Sequence, residues 1–145
     1  MATSDTREVV IEATPEQIMD VIADFDVLPK WSLAHQSSTV VSTHDDGRPH
    51  EVKMKIKAAG IADEQVVAYS WGPDAVSWTL LKAGQLRSQD GKYTFTPKGD
   101  KTHVKFELSV DLLIPLPGFI LKRTIKGAME TATDGLRKQV LATYR

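Results

Sequence analysis

Residues 112–121 read LLIPLPGFIL, the most apolar run in the chain, and Lys122 and Arg123 follow at once. Pro115, Pro117 and Gly118 lie inside it. Proline has no N–H to give a sheet ladder, and within a helix it suits only the first turn. Neither a strand nor a helix can run through this stretch, so it reads as a hinge between one element and the next. Upstream, in THVKFELSVDL, Val104, Phe106, Leu108, Val110 and Leu112 alternate with Lys105, Glu107, Ser109 and Asp111. That is a strand with one buried and one wet face. Downstream, from Pro117 to about Thr143, Leu121, Ile125, Ala128, Met129, Ala132 and Leu136 form one stripe of a helix at ~100° per residue. Lys122, Arg123, Lys126, Glu130, Asp134 and Lys138 lie off that stripe.

The same reading extends toward the N-terminus. TREVVIE, residues 6–12, forms a strand with Arg7, Val9 and Ile11 on one face. In TPEQ, Thr14 caps a helix, Pro15 occupies its first position and Gln17 completes a capping box. Ile18, Val21, Ile22 and Phe25 then make an apolar stripe, and the helix ends near DFDVLPKW because the residue before Pro29 disfavours helical backbone. HQSSTVVST and HEVKMKIKA flank HDDGRP, where Asp46–Gly47 signals a hairpin. DEQVVAYSW, AVSWTLLK, QLRSQDGKYTFTP and the strand already described follow at short spacing, which requires antiparallel neighbours. The order is β-α-α-β6-α. The expected class is α+β: a curved antiparallel sheet wrapped around a long C-terminal helix, ~40 Å at 1.5 Å per residue.

Composition narrows the function. A chain of 145 residues is read as one domain, residues 1–145, with 41% apolar and 26% charged side chains. The 18 basic and 19 acidic residues leave a net charge of −1, so there is no cationic excess for nucleic acid. The absence of cysteine excludes disulfides, thiolate nucleophiles and Cys-ligated metal. No basic n-region precedes an apolar stretch in MATSDTREVV, and the 112–121 run is about half of a membrane span, so a cytoplasmic location is expected. The four histidines form no metal-ligand spacing, and no phosphate-cradling loop or dinucleotide fingerprint is present, so no cofactor or metal is expected.

The covering helix has small residues at its centre, Ala128 and Ala132, with Gly135 on its flank. The sheet opposes them with Met54, Trp78, Tyr93 and Phe106. Either these aromatic groups fill the space and make a solid core, or a void remains. A twisted sheet cannot be followed closely along a straight helix. An empty gap costs about 24 cal/mol per Å3, which an apolar guest would offset.

The element order, TPEQIMDVIADFDVLPKW, GKYTFTPKG and the late strand–proline–long-helix together resemble the START-like helix-grip superfamily. More narrowly they resemble its bacterial polyketide cyclase/dehydrase and lipid-transport branch, the SRPBCC domains, across essentially the whole chain. The resemblance implies a hydrophobic pocket between sheet and helix for a lipid, quinone, polyketide-like or similar small molecule, with catalysis in only some members. With the inward phase of the strands, it makes Met54, Ile56, Val67, Tyr69, Trp78 and Leu80 candidate ligand contacts. Tyr93, Phe95 and Phe106 join them on the sheet. Ile125, Met129 and Ala132 face them from the helix, and Trp31 stands near the entrance. LLIPLPGFIL becomes the hinge of the gripping helix, with Leu116, Phe119 and Ile120 at the pocket mouth. With Lys122, Arg123 and Lys126 beside it, this loop is also suited to transient membrane contact.

Polar candidates are few. Counting back in twos from Phe95 and Tyr93 puts Gly91, Gln89 and Arg87 inside, unless a bulge at Gly91 resets the phase. Gln89 and Arg87 would hold a ligand's polar head or pair with Asp24, Asp26 or backbone. His44, His50 and His103 are expected to face water, and His35 stands at the pocket edge. Glu107 and Asp111 share the wet face of their strand. Three functions follow: a carrier of a hydrophobic small molecule; a polyketide aromatase/cyclase or dehydratase using Arg87, Tyr93 and His35; or a protein-interaction module like a ribosome-associated, toxin-like branch of similar domains.

Overall fold

Thr14 opens the first helix as its neighbours dictate. In the computed structural model, which describes residues 2–144, Thr14 Oγ1 accepts from Gln17 N at 3.1 Å and Gln17 Oε1 accepts from Thr14 N at 3.0 Å. This reciprocal cap links strand β1 (Ala2–Ile11) to helix α1 (Pro15–Ala23). A short helix α2 (Leu28–Trp31) carries Pro29 in its first turn. Six strands follow: β2 (His35–Val40), β3 (Glu51–Ala58), β4 (Ile61–Trp71), β5 (Ala75–Lys82), β6 (Leu86–Lys98) and β7 (Lys101–Leu112). With β1 they form one seven-stranded sheet ordered β1-β7-β6-β5-β4-β3-β2, with every pair antiparallel. β1 begins four residues before the expected start and returns to the edge of β7, placing Val9 opposite Val104. Among the described residues no helix is long and apolar enough to cross a membrane.

The C-terminal helix is not the uniform element that the periodicity implied. It comprises α3 (Gly118–Glu130), a π turn (Thr131–Gly135) and α4 (Leu136–Thr143). At the π turn Leu136 N–H reaches back to Thr131 O, so Ala132 O loses its ordinary helical donor. The Tyr93 hydroxyl takes that place, donating to Ala132 O at 2.8 Å. Two further ties hold the same region to the N-terminal segment. Arg7 Nε donates to Thr133 Oγ1 and Arg7 also pairs with Asp134, each at 2.9 Å. One turn later Arg137 grips both carboxylate oxygens of Glu12, at 2.8 and 3.1 Å. Gly135 makes the fit close here: a Cβ would lie 3.0 Å from the Trp31 carbonyl oxygen, so a larger residue would need that backbone to give.

These ties divide the interior. On the α4 side, Ile11, Ile18, Phe95, Val104, Met129, Leu136 and Val140 are fully buried in a dry core. On the α3 side the helix spans the sheet without filling the space below it.

β6 departs from simple alternation at one point. Leu86 pairs with Leu112 but Ser88 pairs with Asp111, so β6 carries one extra residue, Arg87. The bulge lies here and not at Gly91. Gly91 stays in phase opposite Trp78, and its missing side chain is where the indole lies, 2.2 Å from an ideal Cβ. The Gly91→Ala variant is expected to displace Trp78 and lose about 1–3 kcal/mol in urea unfolding. An unchanged midpoint would show that the indole repacks without strain. Tyr93→Phe strands the Ala132 carbonyl and is expected to cost a similar ~1–3 kcal/mol. Destabilisation of Tyr93→Phe by less than ~0.5 kcal/mol would mean that the π turn does not depend on this bond.

Candidate functional site: a cavity under the gripping helix

The space under α3 is a cavity of about 800 Å3, within the range of small-molecule sites. One end is closed by an aromatic tier. Tyr93 and Phe106 lie 4.6 Å apart, Trp78 stacks on Phe106 at 5.7 Å, Tyr69 meets Trp78 at 5.3 Å, and Phe25 sets its edge on Tyr69 at 5.1 Å. These rings build a wall and leave the volume open, because they pack on one another. The sheet continues the wall with Met54, Ile56 and Val67. From α3 and the π turn the apolar part of the lining is Ile120, Leu121, Ile125, Gly127, Ala128 and Ala132, where the small residues set the depth of the space, and Arg123, Thr124 and Thr131 join them.

Most of the residues expected from sequence meet here. Trp31, Met54, Ile56, Val67, Tyr69, Trp78, Gln89, Tyr93, Phe106, Leu116, Ile125 and Ala132 all line the cavity. Five do not. Phe95 and Met129 lie in the dry core beyond Tyr93, since the helix is pinned there and leaves no gap. Leu80 is half-buried against the core, off the cavity wall. Phe119 is 66% exposed on the outer side of the first turn of α3, while its neighbours Leu116 and Ile120 turn inward. Arg87 lies outside the sheet, 3.4 Å from Asp111, because the bulge turns it out and puts Leu86 in its place.

The bulge leaves Gln89 inward, where Gln89 Oε1 accepts from Trp78 Nε1 at 3.1 Å. The Tyr93 and Tyr69 hydroxyls are held protonated by burial, which raises both well above the usual phenol range. Gln65 is one polar wall residue that sequence reading passed over. The Gln65-Val67-Tyr69 alternation places it inward on β4, and the register opposes it to the buried Met54. The expectation that His44 and His50 face water is also corrected. Both are half-buried, their rings 4.5 Å apart, and His44 Nε2 lies 2.7 Å from Tyr69 O.

His35 is the histidine on the cavity wall. Its Nδ1 lies 2.6 Å from the buried Ser32 Oγ, and burial lowers its pKa from 6.5 to about 4. The unfolded chain protonates His35 near pH 6.5, whereas the native chain does so only near 4. Across that window the unfolded state binds more protons, so stability falls as acid is added. The expected loss between pH 6.5 and 4 is on the order of 1–3 kcal/mol, moderated by solvent reaching the ring through the cavity. His35→Gln should flatten that part of a plot of urea midpoint against pH. Parallel plots for the two proteins would assign the slope to another group.

The sequence model of the polyketide cyclase / dehydrase and lipid transport family matches residues 3–141. No curated protein sequence matches the chain. Solved structures match closely in fold at low identity. A START superfamily protein from Mycobacterium smegmatis is 20% identical, with a TM-score of 0.85 over 97% of this chain and 98% of that one. A protein from Thermus thermophilus is 22% identical, with a TM-score of 0.80 over 99% and 100%. The Zhui aromatase/cyclase of a Streptomyces species is 10% identical, with a TM-score of 0.83 over 100% and 97%. With a family match along nearly its whole length and a helix that grips a curved antiparallel sheet, this chain belongs to the polyketide cyclase / dehydrase and lipid transport family and has the START-like helix-grip fold.

Proposed function

We propose that this protein binds and carries a hydrophobic small molecule of the lipid, quinone or polyketide-like kind in the cavity under α3. The observation that carries the reading is the cavity itself: about 800 Å3 of largely apolar-walled space, kept open by Gly127, Ala128 and Ala132 on the helix. A guest that buries about 300 Å2 of apolar surface there gains roughly 7 kcal/mol at ~25 cal/mol per Å2, before the cost of immobilising it. The rim supports exchange with an apolar donor. Leu33 is 91% exposed at one side of the mouth and Phe119 is exposed at the hinge, with Lys122, Arg123 and Lys126 nearby. In this reading the 112–121 loop touches a membrane transiently while the ligand passes.

The polar groups support carriage over turnover. A general base works best with a pKa near the operating pH, and His35 is a weak base at about 4. Arg87 is outside, and the Tyr93 hydroxyl is committed to the helix backbone.

Native mass spectrometry of the purified protein before and after organic extraction is expected to show an apolar molecule that extraction removes. The stripped protein should then bind the neutral dye Nile red. Ala128→Trp puts an indole into the cavity from a position that is not pinned, and should weaken Nile red at least tenfold with the thermal midpoint little changed. Failure of the wild-type protein to hold a native guest or the dye would overturn the carrier reading in favour of an interaction module.

A further inference from the structure

Three buried side-chain polar atoms among the described residues have neither a partner nor access to open space: Trp31 Nε1, Ser38 Oγ and Gln65 Oε1. They are sealed in the structure and cannot meet a guest. The amide of Gln89 is placed differently. The Trp78 indole N–H can only donate, so Gln89 must present its oxygen to it, at 3.1 Å, and turn its NH2 group away. That NH2 group has no hydrogen-bond partner, yet it is not one of the sealed atoms, so it opens onto the space that Gln89 lines. Gln89 is half-buried on the inward face of β6, opposite Val110 of β7 and one inward step from Gly91 toward Leu86. Trp78 is itself held by the rings of Tyr69 and Phe106, so the amide that it orients is fixed in direction.

Beside the aromatic tier the wall thus presents a donor that needs an acceptor. A carboxylate would accept, but the wall's cationic side chains, Lys57 and Arg123, are exposed and His35 is neutral at ordinary pH. Its desolvation would go uncompensated. An ammonium group would meet the amide donor to donor. A hydrocarbon would displace water from the NH2 group and leave it unmet. A hydroxyl accepts, but it adds a proton that needs an acceptor of its own. A neutral carbonyl accepts and brings no further demand. The Tyr69 hydroxyl also lacks a partner and is not sealed, but it both donates and accepts and so selects no class.

Resting on the carrier reading above, we propose that the cavity selects neutral ligands bearing a carbonyl group, whose oxygen accepts from Gln89 Nε2–H. Trp78 acts as the positioning residue for that amide, and the apolar body of the ligand lies along the aromatic tier and α3. Meeting this one donor with a carbonyl in place of an apolar group is worth on the order of tenfold in affinity.

The test is displacement of Nile red from the extracted protein at pH 7 by 2-decanone, 1-decanol, decane, decanoate and decylammonium, which share one chain length. The ketone is expected to bind about tenfold more tightly than decane, and more tightly than the other three. Gln89→Met removes the NH2 group at similar volume and should bring the ketone level with decane, whereas Tyr69→Phe should leave most of its advantage. A second readout needs no variant to fold: the infrared carbonyl stretch of bound 2-decanone, carbon-13-labelled at the carbonyl, should lie below its frequency in alkane. An alkane-like stretch in the wild-type protein overturns the selection while leaving the carrier reading standing. So do equal affinities for all five compounds, a preference for decanol, and a preference for the ketone lost in Tyr69→Phe but kept in Gln89→Met. A preference for decanoate that Arg123→Gln abolishes overturns it too, since that places the head at the mouth. Binding of neither dye nor any decyl compound removes the carrier reading and this proposal together.

Discussion

The hydrogen bond from the Tyr93 hydroxyl to the Ala132 carbonyl decides where the helix can approach the sheet. It meets a carbonyl from which the π turn withholds the usual helical donor. A phenol long enough to reach across the interior holds the helix at one height at this point. Behind it, Arg7 and Arg137 tie the same half of the helix to β1 and Glu12, and the space closes into dry core. Ahead of it, α3 continues straight while the sheet curves away, and the gap becomes the cavity. The hydroxyl stays protonated because burial disfavours the phenolate, so the donor is present at any ordinary pH.

The cavity wall combines local and distant constraints in the same way. Trp78 lies flat because Gly91, directly across the strand pair, has no side chain to lift it. That position brings the indole N–H to Gln89, and the ring to Phe106 and Tyr69. A tier of mutually packed rings resists collapse into the void, since each is held by its neighbours. At the β3–β4 hairpin, Asp63 gathers four donors and so fixes both the hairpin tip and the amide of Gln65. Structural anchoring and the polar character of the wall therefore come from the same side chains.

Much of this was legible in the residues. The Thr14–Gln17 box, the period-two alternation through β3, β5 and β7, and the strand–hinge–helix grammar of LLIPLPGFIL each depend on neighbours a few positions apart. Their outcome matched the expectation nearly residue by residue. The inward set on β3 and β4, and Tyr93 and Phe106, followed from the same alternation. What could not be read were the inserted residues, and two of these insertions bear on the site. The bulge at Arg87 turned an expected ligand contact outward, and the π turn gave Tyr93 its backbone partner. Both are settled by pairing with an element distant in sequence, and the local pattern carries no mark of either.

The order of strands and helices, their buried faces and the hinge were thus determined by the sequence alone, because hydrogen-bonding capacity and apolar period are properties of adjacent residues. Only the tertiary structure decided that the interior is part core and part cavity. It likewise decided that Phe95 and Met129 belong to the first, and that Gln65 lies on the wall of the second. A void is the difference between two surfaces, the curvature of a sheet and the reach of a helix pinned at one end, and no stretch of chain encodes that difference by itself.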